Sequence, residues 1–387
     1  MIRWGFLGAG WIATTALAPA VHSAKNGILH GVASRDRGRA EALQPQKIYA
    51  RYEDLLADPE IDAVYINLAN HQHCQWAVAA LAAGKHVLCE KPLALDRAQG
   101  QVMADAAKKY DRVLVEAVWS RWHPRFVRIV ELVAGGDIGE LVGIDSAFCF
   151  TAQFTNNYRF ISEMGGGSLL DVGVYQAHLW RALNKGEPEL KIESLTQSLG
   201  ATGEDLTTQM IGELVGIDSA FCFTAQFNNN YRFISEMGGG SLLDVGVYQA
   251  HLWRALNEDE PELKIESFTQ SLGATGEDLT TQVSGELGNG VKINSLASFE
   301  MPETQRLVIA GELATIKCLG NDAFTSWKKP SSLSVGNHLE EFEPVDPYCI
   351  MIENFGNHIE GKPAWILPIE QSLYVMKLLD QIKSSVA

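Results

Sequence analysis

The chain has 387 residues and carries 47 Asp and Glu residues against 31 Lys and Arg residues, which gives a formal net charge of −16 at pH 7. This excess of negative charge argues against binding to nucleic acid or to an anionic membrane surface, since both partners attract basic patches. No apolar stretch approaches the length that crosses a bilayer, and the six cysteines show no CxxC spacing. We therefore expect a cytoplasmic protein with reduced cysteines, no metal site and no disulfide framework.

A long internal repeat dominates the second half of the chain. Residues 138–209 match residues 211–282 at a constant offset of 73, and only four aligned positions differ. The differences are Thr155/Asn228, Lys185/Glu258, Gly186/Asp259 and Leu195/Phe268. Stacked repeat architectures need three or more units and tolerate much divergence, so two nearly identical copies indicate a tandem duplication. Without one 73-residue unit the chain would have 314 residues, a length typical of a two-domain protein.

The first predicted element is an apolar strand over residues 2–7. It leads into a GxGxxA loop, Gly8 to Ala13, that opens a helix. In such a loop the glycines allow a tight turn and the close approach of a pyrophosphate, which the helix N-terminus stabilises with its free N–H groups and its dipole. A helix after the loop and a second strand over residues 28–34 complete the pattern. The sequence therefore predicts a dinucleotide-binding βαβ unit.

The end of the second strand bears on the choice of cofactor. In NAD sites this strand usually ends in an acid that binds the ribose 2′-hydroxyl, whereas here it ends at Ser34 and Arg35, with Arg37 and Arg39 following. A hydroxyl and a guanidinium suit a 2′-phosphate better than a bare ribose. The sequence therefore favours NADP. Asp36 comes one residue late and keeps NAD as the alternative.

Strands and helices then alternate with short connections, which is the pattern of a doubly wound parallel sheet. We predict helices and strands in turn at residues 52–56, 63–68, 74–83, 86–89, 97–109 and 112–117. Ligands in such sheets bind at the carboxyl ends of strands. Two polar clusters fall at such ends, Asn67 to His73 and Glu90 to Pro92. A lysine at a strand end, such as Lys91, can also be merely solvated.

From about residue 120 the pattern changes to long alternating strands around one inserted helix. The last part of the chain indicates three consecutive antiparallel strands and a final amphipathic helix, at residues 280–287, 291–300, 305–317 and 370–382. We therefore predict an α/β dinucleotide-binding Rossmann domain over residues 1–120. A second, α+β domain for substrate binding and dimerisation is predicted over residues 121–387, and it contains the duplication.

Each repeat copy contains the sequence GGGSLLDVGVYQAHLWRAL, at residues 165–183 and 238–256. If the residues after the glycines form a helix, Asp171, Tyr175 and His178 share one face at i, i+4 and i+7. A carboxylate, a phenol and an imidazole on one face beside a glycine loop are suited to handling a proton. The alternative is an amphipathic core helix whose polar residues face water.

Four motifs together resemble one family. They are GAGWIA near the start, Glu90-Lys91-Pro92, Glu116-Ala117-Val118-Trp119 and GGGSLLDVGVY. The chain resembles the glucose-fructose oxidoreductase, inositol dehydrogenase and rhizopine-catabolism (Gfo/Idh/MocA) superfamily, and within it the branch of dimeric dihydrodiol dehydrogenases and NADP-dependent D-xylose dehydrogenases. The resemblance covers nearly the whole chain. It implies an α+β second domain with an open, predominantly antiparallel sheet that forms the face of a homodimer.

The resemblance also implies site residues and a reaction. The catalytic positions would be Lys91, Asp171 and Tyr175, with Asp244 and Tyr248 as their counterparts in the second copy. The cofactor would be held by Gly8, Gly10, Trp11, Ile12, Ser34, Arg35, Arg39, Asn70, His73, Glu90 and Lys91. Many members of the superfamily have histidine where this chain has tyrosine, whereas the dihydrodiol branch has tyrosine. The expected reaction is hydride transfer between NADP and a sugar or vicinal diol.

Other interpretations stay open at this level. The same fold also serves as a non-catalytic NADP-binding regulator, and a duplicated enzyme can be an inactive paralogue that only binds cofactor. The expected sheet has room for one copy of the repeat. Extra residues placed after Gly136 fall in a loop between a helix and a strand, where insertions are tolerated best. We therefore expect Asp244 and Tyr248, from the second copy, to be the functional pair.

Overall fold

The structure is a computed structural model that describes residues 1–148, 195–199, 205–211, 218–222, 264–272, 278–286, 291–298 and 304–384. Contacts within the chain define two compact units. The first comprises Met1–Trp122 and Asp346–Leu373, and the second comprises His123–Val345 and Tyr374–Ala387. The sequence pattern had grouped residues 346–373 with the second domain, whereas their contacts are with the first unit. None of the described helices is long and apolar enough to cross a membrane.

A six-stranded parallel sheet forms the centre of the first unit. Its strands are β1 (Ile2–Leu7), β2 (Gly27–Ala33), β3 (Lys47–Tyr49), β4 (Ala63–Ile66), β5 (His86–Cys89) and β6 (Leu114–Glu116). They lie in the order β3-β2-β1-β4-β5-β6, and every neighbouring pair is parallel. The chain order reverses at β1, which is where ligands bind in doubly wound sheets. The predicted α/β Rossmann fold is confirmed.

Helices connect these strands. A π-helical turn (Ala13–Leu17) continues into α1 (Ala18–Ser23), followed by α2 (Arg37–Ala42), α3 (Tyr52–Leu56), α4 (His73–Ala82) and α5 (Arg97–Tyr110). Short 3-10 turns precede α4 and follow β6, at Asn70–Gln72 and Trp119–Trp122. The central strands β1 and β4 are buried and apolar except for the partly exposed Arg3, as is usual for strands inside a parallel sheet. Trp4, Phe6 and Tyr65 are the largest side chains buried there.

The second unit contains α6 (Pro124–Ala134) and an eleven-stranded sheet. The strands are β7 (Leu141–Phe148), β8 (Leu195–Leu199), β9 (Asp205–Ile211), β10 (Asp218–Cys222), β11 (Lys264–Leu272), β12 (Asp278–Glu286), β13 (Lys292–Ser298), β14 (Gln305–Gly311), β15 (Thr315–Leu319), β16 (Ser331–Val335) and β17 (His338–Phe342). Their order is β11-β12-β8-β9-β10-β13-β7-β14-β15-β16-β17, and β12 also pairs directly with β13. Among the described strands of this sheet the parallel pairs are those of β13 with β7 and with β10. A predominantly antiparallel sheet in the second unit is thus confirmed.

The predicted strand 305–317 is two strands, because the chain reverses between β14 and β15. The N–H of Gly311 donates to the carbonyl oxygen of Ala314 at 2.9 Å, which closes a tight turn. The N–H of Leu313, inside that turn, donates to the carbonyl oxygen of Ile138 at 2.9 Å. Alternating apolar and polar residues run through this turn, so the sequence pattern alone does not show the break.

The two repeat copies share the sheet. We expected one whole copy to be displaced, but β7 of the first copy pairs with β14, and β11 of the second copy pairs with β12. The connection from α6 to β7 explains the first of these pairings. It consists of only the turn from Gly135 to Glu140, so the strand that begins the first copy follows α6 directly and pairs with β14.

The chain returns to the first unit with α7 (Pro347–Ile359) and the start of α8 (Ile369–Ser384). The Phe355 ring in α7 lies 5.2 Å from the Trp4 ring in β1. The side-chain amide of Asn26 donates to the carbonyl oxygen of Glu353 at 2.8 Å. These contacts join α7 to the start of the parallel sheet, at the end opposite the carboxyl ends of its strands.

Candidate active site

The glycine loop follows the carboxyl end of β1. Gly8 has a φ of +96°, and a Cβ at this position would lie 2.2 Å from the carbonyl oxygen of Asn67. The N–H of Gly8 donates to the carbonyl oxygen of Ala33 at 2.9 Å. Helical hydrogen bonding starts at once, since the N–H of Thr14 donates to the carbonyl oxygen of Gly10 at 3.1 Å. Only glycine satisfies both the backbone conformation and the space at residue 8.

Two buried amides border this loop. Asn67 and Asn70 follow β4 and are 7% and 2% exposed. A Cβ added to Gly10 would lie 3.1 Å from the Nδ2 atom of Asn67. Neither Nδ2 atom has a hydrogen-bond acceptor in the described part of the chain. Buried amide donors are normally paired, so these two groups fit the oxygen acceptors of a bound dinucleotide.

Trp11 and Ile12 begin the helical segment after the loop. The Trp11 side chain is 66% exposed, while Ile12 is half-buried. An exposed indole offers a flat apolar face against which a ligand ring can stack. The first N–H groups of a helix have no partner within the helix and favour an anionic group. The segment can therefore contact both the phosphates and an adjacent ring of a dinucleotide.

Polar and charged residues surround the end of β2. The Asp36 carboxylate caps α2, because it accepts from the N–H of Arg39 at 3.0 Å and lies 3.4 Å from the Nε atom of Arg39. The hydroxyl of Ser34 accepts from the N–H of Asp36 at 3.1 Å. Arg37 pairs with a carboxylate one turn later, at 2.9 Å. Arg35 is exposed and has no ion pair among the residues that the structure describes.

The Glu90-Lys91-Pro92 segment follows β5 at the same edge of the sheet. Glu90 and Lys91 are only 8% and 7% exposed, and the peptide bond between Lys91 and Pro92 is cis. The hydroxyl of Tyr65 donates to one oxygen of the Glu90 carboxylate. The N–H of Lys91 donates to the other oxygen at 3.2 Å. The Glu90 carboxylate thus fixes the position of the Lys91 backbone N–H and is itself held by Tyr65.

His73 supports this segment from α4. Its side chain is completely buried, and its Nδ1 atom lies 2.8 Å from the carbonyl oxygen of Pro92. Its Nε2 atom lies 3.1 Å from the carbonyl oxygen of Leu68. Burial lowers the pKa of His73 to about 4, so the ring is neutral at pH 7 and donates one hydrogen bond. The role predicted for His73 in cofactor binding stays a prediction, because its described contacts are with the backbone.

Glu116 lies behind the same segment, at the end of β6. It is 1% exposed, and its Oε1 atom accepts from the N–H of Leu93 at 2.9 Å. Burial raises the pKa of Glu116 to about 7, the neighbouring Glu90 adds to the rise, and the Lys91 ammonium opposes it. The Glu116 carboxyl, whose pKa is raised to about 7, therefore lies in the surroundings of the lysine.

The predicted cofactor residues all follow the carboxyl ends of parallel strands. They are Gly8, Gly10, Trp11 and Ile12 after β1, Ser34, Arg35 and Arg39 after β2, Asn70 and His73 after β4, and Glu90 and Lys91 after β5. The predicted catalytic residues Asp171, Tyr175, Asp244 and Tyr248 lie outside the described residues. Asn67, Tyr65 and Glu116 were not predicted as site residues. The strand-end rule that selected Lys91 applies equally to Asn67 and Glu116, but no local pattern selects Tyr65.

One group of side chains in the first unit has the spacing of metal ligands. His30, Asp58 and Glu60 place one ligand atom each within 4.8 Å of one another. The Nζ atom of Lys47 lies 3.1 Å from the Asp58 carboxylate and 2.5 Å from the Glu60 carboxylate. One ammonium group therefore already pairs with both acids, and this group of residues is an ion-pair network.

Sequence models of two domains match most of the chain. Residues 2–117 match the model described as oxidoreductase family, NAD-binding Rossmann fold. Residues 126–208 and 202–317 each match the GFO/IDH/MocA C-terminal domain. The first match covers the first copy of the repeat except for its last residue, and the second match contains the whole second copy.

Individual relatives are similar over part of their length. The chain is 36% identical over 218 residues to D-xylose 1-dehydrogenase (NADP(+)) 2 of Haloferax volcanii, which covers 55% of this chain and 65% of that protein. It is 32% identical over 221 residues to trans-1,2-dihydrobenzene-1,2-diol dehydrogenase of Mus musculus, which covers 56% and 66%. The chain therefore matches less than two thirds of the length of these relatives. A 3-ketoreductase from Actinomadura kijaniata has the same fold, with a TM-score of 0.71 and 20% identity over 99% of this chain and 97% of that one.

Proposed function

Because this chain belongs to the Gfo/Idh/MocA oxidoreductase family, we propose that it transfers a hydride between NADP and a carbinol carbon of a sugar or vicinal diol. The observation that carries the proposal is the lining of the carboxyl edge of the first unit. A glycine that admits no side chain, two buried amides and a buried lysine follow three neighbouring strands there. The names of the relatives, a D-xylose dehydrogenase and a dihydrodiol dehydrogenase, support the substrate class.

The end of β2 supports NADP over NAD. Asp36, the acid that would favour a free ribose, has its carboxylate engaged in capping α2. Arg35 is exposed beside Ser34, and a guanidinium with a hydroxyl can bind a 2′-phosphate. Arg39 is partly engaged by Asp36 and contributes further positive charge. NAD remains the alternative cofactor, because these side chains lie at the surface and do not exclude a ribose hydroxyl.

The residues of the chain would position the cofactor and handle the substrate proton. Gly8 and Gly10 would admit the pyrophosphate, Trp11 and Ile12 would pack beside it, and the Asn70 side-chain amide would donate a hydrogen bond to the cofactor. The bound nicotinamide supplies the hydride chemistry. In the proposed reaction the Lys91 ammonium lowers the pKa of a tyrosine phenol by stabilising its anionic form, and that phenol exchanges the hydroxyl proton of the substrate.

The duplicated motif would supply the phenol and a carboxylate. The candidates are Tyr175 with Asp171 in the first copy and Tyr248 with Asp244 in the second. The aspartate would orient either the substrate or the lysine. These roles follow from the family resemblance of the motif. Substituting each tyrosine separately would identify the copy that provides them.

The direct test measures NADP reduction by the purified full chain with a panel of aldoses and vicinal diols, D-xylose and a trans-dihydrodiol included. We expect turnover with at least one class and a preference for NADP over NAD. NADPH binding without turnover on any member of the panel would contradict the enzyme and would favour a regulator or an inactive paralogue. We also propose a cytoplasmic homodimer that associates through the second unit, which light scattering of the purified chain would test.

A further inference from the structure

The two repeat copies form the same hairpin in the sheet of the second unit. In the first copy Leu195 of β8 pairs with Met210 of β9. In the second copy Phe268 of β11 pairs with Val283 of β12, which is an offset of 73 at both positions. A register shift precedes the last pair in both hairpins. The duplicated segment therefore has the same backbone pairing at both places in the chain.

β12 pairs with strands of both copies in one register. Gln282 of β12 lies opposite Thr196 of β8 and also opposite Thr269 of β11. Thr196 and Thr269 are counterparts in the repeat, 73 residues apart. The flanking pairs agree, since Thr281 is opposite Gln197 and Gln270, and Val283 is opposite Leu195 and Phe268. The first copy thus meets β12 at the positions that the second copy also uses.

The same equivalence holds at β13. Leu296 of β13 pairs in parallel with Ala147 of β7, in the first copy. Ser298 is two residues after Leu296 in the sequence, as residue 149 is two residues after Ala147. Ser298 pairs with Cys222 of β10, in the second copy, and residue 222 is the counterpart of residue 149 in the repeat. Both copies therefore pair with β13 in the same register as well.

The pairings of β12 exceed the two hydrogen-bonding edges that a strand has. A β-strand has two hydrogen-bonding edges, and one residue can hold one neighbour on each. β12 and β13 pair directly from Thr280 with Ser298 to Glu286 with Lys292. That ladder leaves a single edge of β12 for both β8 and β11, which pair with the same residues, 281–283. On the remaining edge of β13, β7 pairs with residues 292–296 and β10 pairs with Ser298.

We infer that the two copies are interchangeable in the sheet, so that either the first copy, through β7 and β8, or the second, through β10 and β11, completes the edges of β13 and β12. The residues that pair with β12 differ between the copies only at Leu195 and Phe268. A change between two apolar residues of similar size shifts such an equilibrium by about tenfold or less. We therefore expect both arrangements to be populated.

A disulfide experiment on the full chain tests this inference without reference to catalysis. Thr196→Cys with Gln282→Cys reports β8 on β12, and Thr269→Cys with Gln282→Cys reports β11 on β12. The two pairs share one register, so their geometry for cross-linking is matched. Peptide mass spectrometry after mild oxidation distinguishes the products, because the peptides differ at residues 195 and 268. As a control, Ser334→Cys with Leu339→Cys joins β16 to β17, whose strands lie outside the repeat.

We expect each double variant to cross-link within one chain in part of the molecules. A triple variant with cysteines at residues 196, 269 and 282 should give both products in a ratio within about tenfold. The control pair should give no alternative product. If one of the two double variants forms no disulfide while the other and the control do, a single copy occupies the sheet and the inference is wrong. Cross-links between chains in place of those within a chain would also overturn it.

Discussion

The carboxyl edge of the first unit and the duplicated part of the second unit differ in how uniquely the sequence specifies the position of each segment. In the first unit each site residue occurs once and follows its own strand, as Gly8 follows β1, Asn67 follows β4 and Lys91 follows β5. In the second unit two nearly identical segments pair with β12 and β13 in one register. Register depends on side-chain pattern and turn geometry, which the two copies share. A repeated pattern therefore specifies a place in the sheet without choosing between the copies.

The largest expected effect comes from the single-copy lysine. We expect Lys91→Met to lower kcat by about three orders of magnitude, because a proton-transfer group contributes about 10²- to 10⁴-fold. Binding of NADPH, followed by fluorescence, should persist, since the glycine loop and the amides of Asn67 and Asn70 are unchanged. The melting temperature of the variant serves as the control for folding. Undiminished turnover would remove Lys91 from the mechanism.

The duplicated tyrosines should respond differently from the lysine. If either copy can complete the sheet, Tyr175→Phe and Tyr248→Phe should each keep kcat within about tenfold of the parent chain. The double variant should lose about as much turnover as Lys91→Met. This prediction rests on both the proposed function and the interchange of copies, and the disulfide experiment separates the two. Loss of all turnover in one single variant would assign catalysis to that copy alone.

A substitution in the glycine loop should weaken cofactor binding. Gly8→Ala combines a φ of +96° with a Cβ only 2.2 Å from a backbone oxygen. We expect NADPH affinity to fall by more than about tenfold, since strain and displacement of the loop add to each other. Gly361→Ala is the matched control, because Gly361 has a φ of +71° but no atom within 4 Å of an added Cβ. Equal NADPH affinity in the two variants would contradict a role for the space at Gly8.

The choice of cofactor should depend on Arg35. We expect Arg35→Ala to reduce NADPH affinity by about tenfold and to leave NADH affinity unchanged, as for the loss of one charge-assisted hydrogen bond to the 2′-phosphate. Arg37→Ala is the control, because Arg37 is also exposed but already pairs with Glu41. Equilibrium titration with both nucleotides measures the effect. A parallel loss for NADPH and NADH would indicate that Arg35 does not contact the 2′-phosphate.

A smaller effect should appear in the pH dependence of stability. Burial raises the pKa of Glu116 to about 7, above its ordinary value of 4.5. A carboxyl whose pKa is raised by folding stabilises the fold below its ordinary pKa, and this contribution is lost as the pH rises through about 7. Between pH 5 and pH 8 the free energy of unfolding should therefore fall by about 2–3 kcal/mol more in the parent chain than in Glu116→Gln. Denaturant titrations at both pH values measure this difference, and identical pH dependence would contradict the raised pKa.

Much of the first unit could be predicted from local patterns. The glycine loop and the alternation of short strands and helices predicted the parallel sheet, and the rule on strand ends selected Asn70 and Lys91. The predicted helix 52–56 coincides with α3, and strand 63–68 is two residues longer than β4. Tyr65 was not predicted, because its link to Glu90 spans two neighbouring strands. Such a link depends on the order of strands in the sheet, which spacing along the chain does not specify.

The sequence by itself determined the βαβ order of the first unit, the position of the glycine loop and the offset of the repeat, since all three follow from residues that are close together or from direct comparison along the chain. The tertiary structure decided that the Asp36 carboxylate caps α2, that Glu116 is buried behind Leu93, and that both copies of the repeat meet β12 at the same residues. Burial and strand partners arise from contacts between distant segments. Local sequence patterns therefore do not predict burial or strand partners. Because the two repeat copies have the same pattern, the sequence also does not predict which copy makes a given contact.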